Sequence, residues 1–153
     1  MKYIGIDQHK DFCQATVVDK DGKILDCKKI PSRLTDLRRY FRRYKGCKAV
    51  IESNTIWEFI YDTISKLGID VVLANPLEVK AIAHAKVKTD KIDSKILAHL
   101  LRTDMIPSSY VAPIEVRELR KYVKGRIVLN KAMTSLKNQL YAELLRKGIG
   151  VHP

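Results

Sequence analysis

The first fifty residues set short apolar runs between polar breaks, at lengths that suit strands rather than helices. "YIGID" is an apolar run closed by an acid, "CQATVVD" is rich in β-formers, and "KILDCKKI" follows the turn signal Asp21-Gly22. This pattern predicts three consecutive antiparallel strands over roughly 2–7, 12–19 and 23–30. From Ser32 the period changes. "SRLTDLRRYFRRYKG" places Leu34, Leu37, Phe41 and Tyr44 on one side and arginines on the other, with Gly46 at a cap position.

"KAVIES" then reads as a buried strand, "WEFIYDTISKLG" as a helix ending at Gly68, and "DVVLANP" as a strand stopped by Asn75-Pro76. The order β-β-β-α-β-α-β needs parallel neighbours joined by right-handed crossovers. Joined to a three-stranded meander, these give an α/β fold with a mixed sheet flanked by helices, the topology of ribonuclease H. Residues 80–89 alternate small and basic residues and suit a loop or partial helix. "DKIDSKILAHLLRTD" is predicted helical, with Ile92, Ile96, Leu97 and Leu100 apolar, and "MIPSSYVAP" is a proline-marked connection.

The stretch from Ile114 to Gly148 predicts one long helix. Leu119, Tyr122, Arg126, Leu129, Met133, Leu136 and Leu140 follow steps of three and four, a coiled-coil-like seam broken by Arg126. Gly125 weakens that helix by about 1 kcal/mol relative to alanine. The seam follows the domain read over residues 1–110, so association into a homo-oligomer through residues 115–145 is expected. Residues 1–110 are expected to form one domain and 111–153 a basic helical linker.

Composition changes the picture through charge. A chain of 153 residues with a net charge of +12 and a pI near 9.7 points to a polyanionic partner, nucleic acid before an acidic membrane surface. Cys13, Cys27 and Cys47 show no C-x-x-C pairing, which argues against a disulfide framework or zinc site. The four histidines fall at no metal-ligand spacing; His9 and His84 could assist a site, but surface or core roles are the first reading. There is no apolar run of about 18 residues and no signal peptide, so a soluble, cytoplasmic protein with no membrane partner is expected.

The candidate chemistry lies in "KTDKIDSK", residues 88–95. Asp90 and Asp93 are three apart, which puts them on one helix face amid Lys86, Lys88, Lys91 and Lys95. In the proposed topology Asp7 closes the first strand and Glu52 closes the neighbouring fourth. Carboxylates brought together repel, and a divalent cation is the usual solution. Mg²⁺ takes hard oxygen ligands, and two such ions stabilise both oxygens of a phosphodiester displacement. Each acid also has an ordinary reading. Asp7 is a turn residue, Glu52 a partner for a surface lysine, and Thr89, Asp90 and Asp93 are helix caps or dipole partners.

"YIGIDQHKD", "AVIESN" and "KTDKIDSKILAHLL" resemble the amino-terminal domain of DEDD transposases of the insertion sequence 110 family, relatives in fold of the junction resolvase RuvC. The resemblance covers about residues 1–110, and the basic helix after it resembles the family's next segment. It implies that Asp7, Glu52, Asp90 and Asp93 are the four catalytic, metal-binding acids, with Mg²⁺ as cofactor and Mn²⁺ as substitute. It implies DNA transposition or recombination, with a structured guide RNA as a further partner. Lys10, Lys86, Lys88, Lys91, Lys95, Arg117, Arg120, Lys121 and Lys124 are the expected nucleic-acid contacts. Ser94 stands where alanine is usual, and Gln8 where a small apolar residue is common. Family members continue into a second, serine-bearing domain, so the chain resembles a first domain and the start of a linker. A non-catalytic nucleic-acid module and a stand-alone junction nuclease are the alternatives.

Overall fold

Strand β1 (Tyr3–Gln8) runs antiparallel to β2 (Phe12–Val18), and β2 antiparallel to β3 (Ile24–Pro31). Helix α1 (Leu34–Phe41) continues as a 3₁₀ turn at Arg42–Tyr44 and leads to β4 (Lys48–Glu52), which lies parallel to β1. Helix α2 (Trp57–Ser65) crosses back to β5 (Asp70–Ala74), parallel to β4. The result is the mixed sheet that the pattern predicts, with five strands in the order β3-β2-β1-β4-β5. Helices α3 (Pro76–Ile82), α4 (Asp90–Arg102) and α5 (Ile114–Arg146) follow. This computed structural model describes residues 1–83 and 90–150, apart from the side chain of Lys91. Among these, Met1–Tyr110 and the segment from Val111 form two compact units.

Strand alternation sorts the sheet residues onto two faces. Gly5 pairs with Thr16 on one side and Val50 on the other, so these three, with Asp7 and Glu52 two residues along, share a face. On that face Val50 clusters with Ala74, Val79, Leu97 and Leu101. The opposite face carries Ile4, Ile6, Ala49 and Ile51, none exposed at all. Leu37, Phe41, Ile60 and Ile64 of α1 and α2 are buried with them. Removing each such Ile or Leu from water contributes about 2 kcal/mol.

Four local expectations change in detail. The turn between β2 and β3 is a five-residue loop: the Asp19 carboxylate accepts from the Asp21 and Lys23 amides, and Gly22 takes φ 85°. In α1 it is Tyr40 that is buried, while Leu34 is 41% exposed. Asn75-Pro76 does more than stop a strand, because Asn75 caps α3 by accepting from the Leu77 amide and Pro76 fills the first helical position. The connection after α4 also has a structural task. Asn75 donates to the Pro107 carbonyl and Ser109 to that of Leu73, so residues 107–109 cover the outer edge of β5.

In the second unit α5 runs 33 residues without a break at Gly125. Leu119, Tyr122, Leu129, Met133, Leu136 and Leu140 of its seam are all exposed. Among the described residues no helix is long and apolar enough to cross a membrane.

Candidate functional site

Helix α4 lies almost on the backbone of β1. A β-carbon added to Gly5 would come within 2.0 Å of the Ser94 carbonyl oxygen and 2.4 Å of the Ala98 nitrogen. Only glycine permits that approach. The facing helix residues must also be small, and Ser94 and Ala98 are both fully buried. Ser94 Oγ lies 2.8 Å from Thr16 Oγ1, a buried hydroxyl pair that fixes the rotation of α4 over the sheet. The helix therefore buries Ser94, Leu97, Ala98 and Leu101, whereas Ile92, Ile96 and Leu100 of the expected apolar set are only partly covered. Asp90 stands one turn before Ser94 on the sheet-facing side, and Asp93 one turn before Leu97.

This rotation brings the amino terminus of α4 over the carboxyl end of β1. Asp7, Glu52 and Asp93 line one cleft of about 70 Å³, together with Val79, Lys80, Ala83, Ile96 and Leu97. Asp90 approaches the same cluster through His9, whose Nε2 is 3.0 Å from Asp7 Oδ2 and 3.3 Å from Asp90 Oδ1. Asp7, Glu52, Asp90 and Asp93 are each partly buried. Asp7 and Asp90, more than eighty residues apart, thus share one histidine, while Glu52 and Asp93 share the cleft with Asp7.

The ends of β1 and β4 are tied on the other face of the sheet. Gln8 is buried, and its amide nitrogen donates to the Glu52 carbonyl and to Asn54 Oδ1, both at 2.7 Å. Asn54 Nδ2 donates back to the Gln8 carbonyl at 3.0 Å. This reciprocal clamp holds Asp7 and Glu52 side by side.

Burial raises the Asp7 carboxyl above its ordinary value. The adjacent His9 opposes that rise, and the charges of Asp93 and Asp90 add to it. A carboxylate held back from ionising first by burial and then by two facing acids is one that a cation would favour. Asp90 and Asp93 both lie in the first turn of α4.

Lys10 and Lys95 of the expected nucleic-acid contacts are exposed in the first unit. On α5, Arg120, Lys121 and Lys124 are exposed, with Lys121 paired to Glu118 at 2.9 Å, whereas Arg117 is buried. Lys86, Lys88 and the Lys91 side chain lie outside the described residues, as do His84 and Thr89. Pattern reading gave no site role to Lys80 and placed His9 first among surface or core histidines. Lys80 was legible only as one more basic residue, but the position of His9 two residues after Asp7 was a usable signal.

A family model described as a transposase, the DEDD type of insertion sequence IS110, matches residues 4–148. Among characterised proteins, the transposase for insertion sequence element IS1533 of Leptospira borgpetersenii is 27% identical over 157 residues. That alignment takes in 99% of this chain and 45% of the relative, so the chain spans under half the length of that protein. Among solved structures, T. thermophilus RuvC in complex with a Holliday junction substrate superposes with a TM-score of 0.53 at 11% identity. It covers 71% of this chain and 99% of that one. A second Thermus thermophilus RuvC structure gives 0.51 at 12% identity, covering 71% and 100%. At such identities the likeness concerns the fold.

Proposed function

This chain belongs to the DEDD transposase family of insertion sequence IS110, and from that premise we propose that it is the metal-binding catalytic part of a DNA transposase or site-specific recombinase. The observation that carries the reading is the meeting of Asp7, Glu52 and Asp93 in one cleft, with Asp90 beside Asp7 across His9. The donor set fits a hard divalent cation: carboxylate oxygens, partly buried and mutually repelling, in an otherwise basic chain.

Asp7, Glu52, Asp90 and Asp93 hold Mg²⁺, with Mn²⁺ as a substitute. When bound, the metal supplies charge stabilisation for the attacking and leaving oxygens of a phosphodiester. The remaining work falls to the chain itself. The Gln8–Asn54 clamp keeps two of the acids in register, and the Gly5–Ser94 contact keeps the other two above them. Lys80 at the cleft, and the exposed Lys10 and Lys95 nearby in the first unit, draw the phosphate backbone in and orient it. Arg120, Lys121 and Lys124 offer further phosphate contacts within the second unit, and Lys86, Lys88 and Lys91 complete the set by sequence.

The partners in this reading are DNA, a structured guide RNA and a second copy of the chain meeting the exposed seam of α5 within residues 115–145. The site of action is the cytoplasm. The division of labour is a metal-binding unit over residues 1–110 and a basic helical linker over 111–153, which in the whole protein joins a second, serine-bearing domain.

Calorimetric titration of Mn²⁺ into the chain tests the metal reading, beside the Asp7→Ala and Asp90→Ala variants. Binding by the parent and its loss in both variants is expected. Unchanged binding in both, or nucleic-acid binding by a parent indifferent to Mn²⁺, would overturn it in favour of a non-catalytic module.

A further inference from the structure

His9 sits where a proton or a cation has to be. Its Nε2 faces two carboxylate oxygens at once, Asp7 Oδ2 at 3.0 Å and Asp90 Oδ1 at 3.3 Å. One N–H cannot point along both directions, so as a hydrogen-bond donor the ring serves one acid well and the other poorly. A metal ion serves both. Adjacent ligands of an octahedral ion at about 2.1 Å stand about 3 Å apart. The nitrogen-to-oxygen spacings here are those of neighbouring vertices, and all three candidate donor atoms lie within 4.8 Å of one another.

The ring is also held in place. It stacks on Phe12 with centroids 4.5 Å apart and planes 29° apart. The Lys29 ammonium lies over the Phe12 ring at 3.4 Å from its centroid. The His9 amide donates to the Phe12 carbonyl at 2.8 Å, and Ser32 Oγ donates to the His9 carbonyl at 3.2 Å. The loop between β1 and β2 therefore offers the imidazole from a fixed backbone against an aromatic wall. Its side chain remains 38% exposed, so a hydrated ion has access.

We propose that His9 is a fifth ligand of this centre, giving through Nε2 a nitrogen donor to the metal held by Asp7 and Asp90. The inference rests on the metal reading above and adds a donor type that four carboxylates lack. Imidazole favours the later first-row ions relative to Mg²⁺. The centre thus differs from a purely oxygen-ligated magnesium site and accepts Mn²⁺ as a substitute more readily than the acids alone would.

Pulsed electron paramagnetic resonance on the Mn²⁺-loaded chain reads this directly. A nitrogen coupling to the metal is expected, changing from its ¹⁴N to its ¹⁵N pattern in protein grown with ¹⁵N-histidine, which needs no mutation. In His9→Gln the coupling is expected to vanish. Calorimetry on the same variant should show Mn²⁺ affinity falling roughly tenfold while Mg²⁺ affinity changes far less. Mn²⁺ that binds in an Asp7-dependent manner without histidine nitrogen coupling, or with a coupling that persists in His9→Gln, overturns the His9 assignment alone. A failure of Mn²⁺ to bind the parent overturns the metal reading and this inference with it.

Discussion

Gly5 and Ser94 meet backbone to backbone, and a single added β-carbon on Gly5 would lie 2.0 Å from the Ser94 carbonyl oxygen. Neither partner can yield easily, because one is in the centre of the sheet and the other in a helix. Gly5→Ala should lift α4 and cost about 3 kcal/mol or more, at the upper end for overpacking. Because α4 carries Asp90 and Asp93, Mn²⁺ affinity should fall with stability. Urea denaturation and metal titration check both; a variant as stable as the parent would show that the helix lies farther from the strand.

Ser94 itself distinguishes size from polarity. Ser94→Ala loses the bond to Thr16 but keeps the fit, and Thr16 Oγ1 retains Cys27 Sγ at 3.6 Å, so a loss of about 1 kcal/mol is expected. Ser94→Leu puts a large side chain into the same contact and should leave little folded protein. Circular dichroism melts of the two variants give the comparison.

The raised Asp7 carboxyl makes the metal-free protein pH-sensitive. Between the ordinary value of 3.8 and the raised folded value, the native state binds more protons than the unfolded one. Stability contributed by this group is therefore present at low pH and lost as pH rises through that window. Asp7→Asn should melt a few degrees higher than the parent at pH 7 in chelator, with the gap narrowing as pH falls towards 3.8. Adding Mn²⁺ should raise the melting point of the parent only.

The clamp behind the acids should couple stability to metal affinity. Gln8→Ala removes two hydrogen bonds and leaves a buried space, for a loss of about 2–3 kcal/mol. The looser ends of β1 and β4 should weaken Mn²⁺ binding roughly tenfold, as loss of supporting hydrogen bonds does in metal sites. Chemical denaturation and calorimetry on the folded variant measure the two effects separately.

The exposed seam of α5 gives an expectation independent of the metal. Light scattering should find the chain associated at high concentration, and the double variant Leu129→Glu with Leu136→Glu should be monomeric. A strictly monomeric parent would mean that something other than a second copy covers the seam.

Much of the architecture was readable from pattern, because strand alternation and helical period are local signals. The five strands, the parallel pairing of β4 with β1, and the acids at the ends of both strands follow from runs such as "YIGID" and "KAVIE". The cap at Asn75-Pro76 was present in the sequence as well, written in residue types that read equally as a strand stop. The second role of residues 107–109, covering the β5 edge, was not written in any local period.

What sequence alone determined is which elements form and which residues end them, since those depend on neighbours along the chain. The rotation of α4, the set of its side chains that is buried and the direction of His9 depend on contacts between distant segments. The apolar residues of α4 suggested Ile92, Ile96 and Leu100 as part of its inner face, yet the close approach to Gly5 selected Ser94 and Ala98 instead. The cause is steric and long-range: Thr16 and Ser94 are 78 residues apart in the chain, and no periodicity within either segment records their contact. That one contact sets the rotation that carries Asp90 to His9, and with it the site.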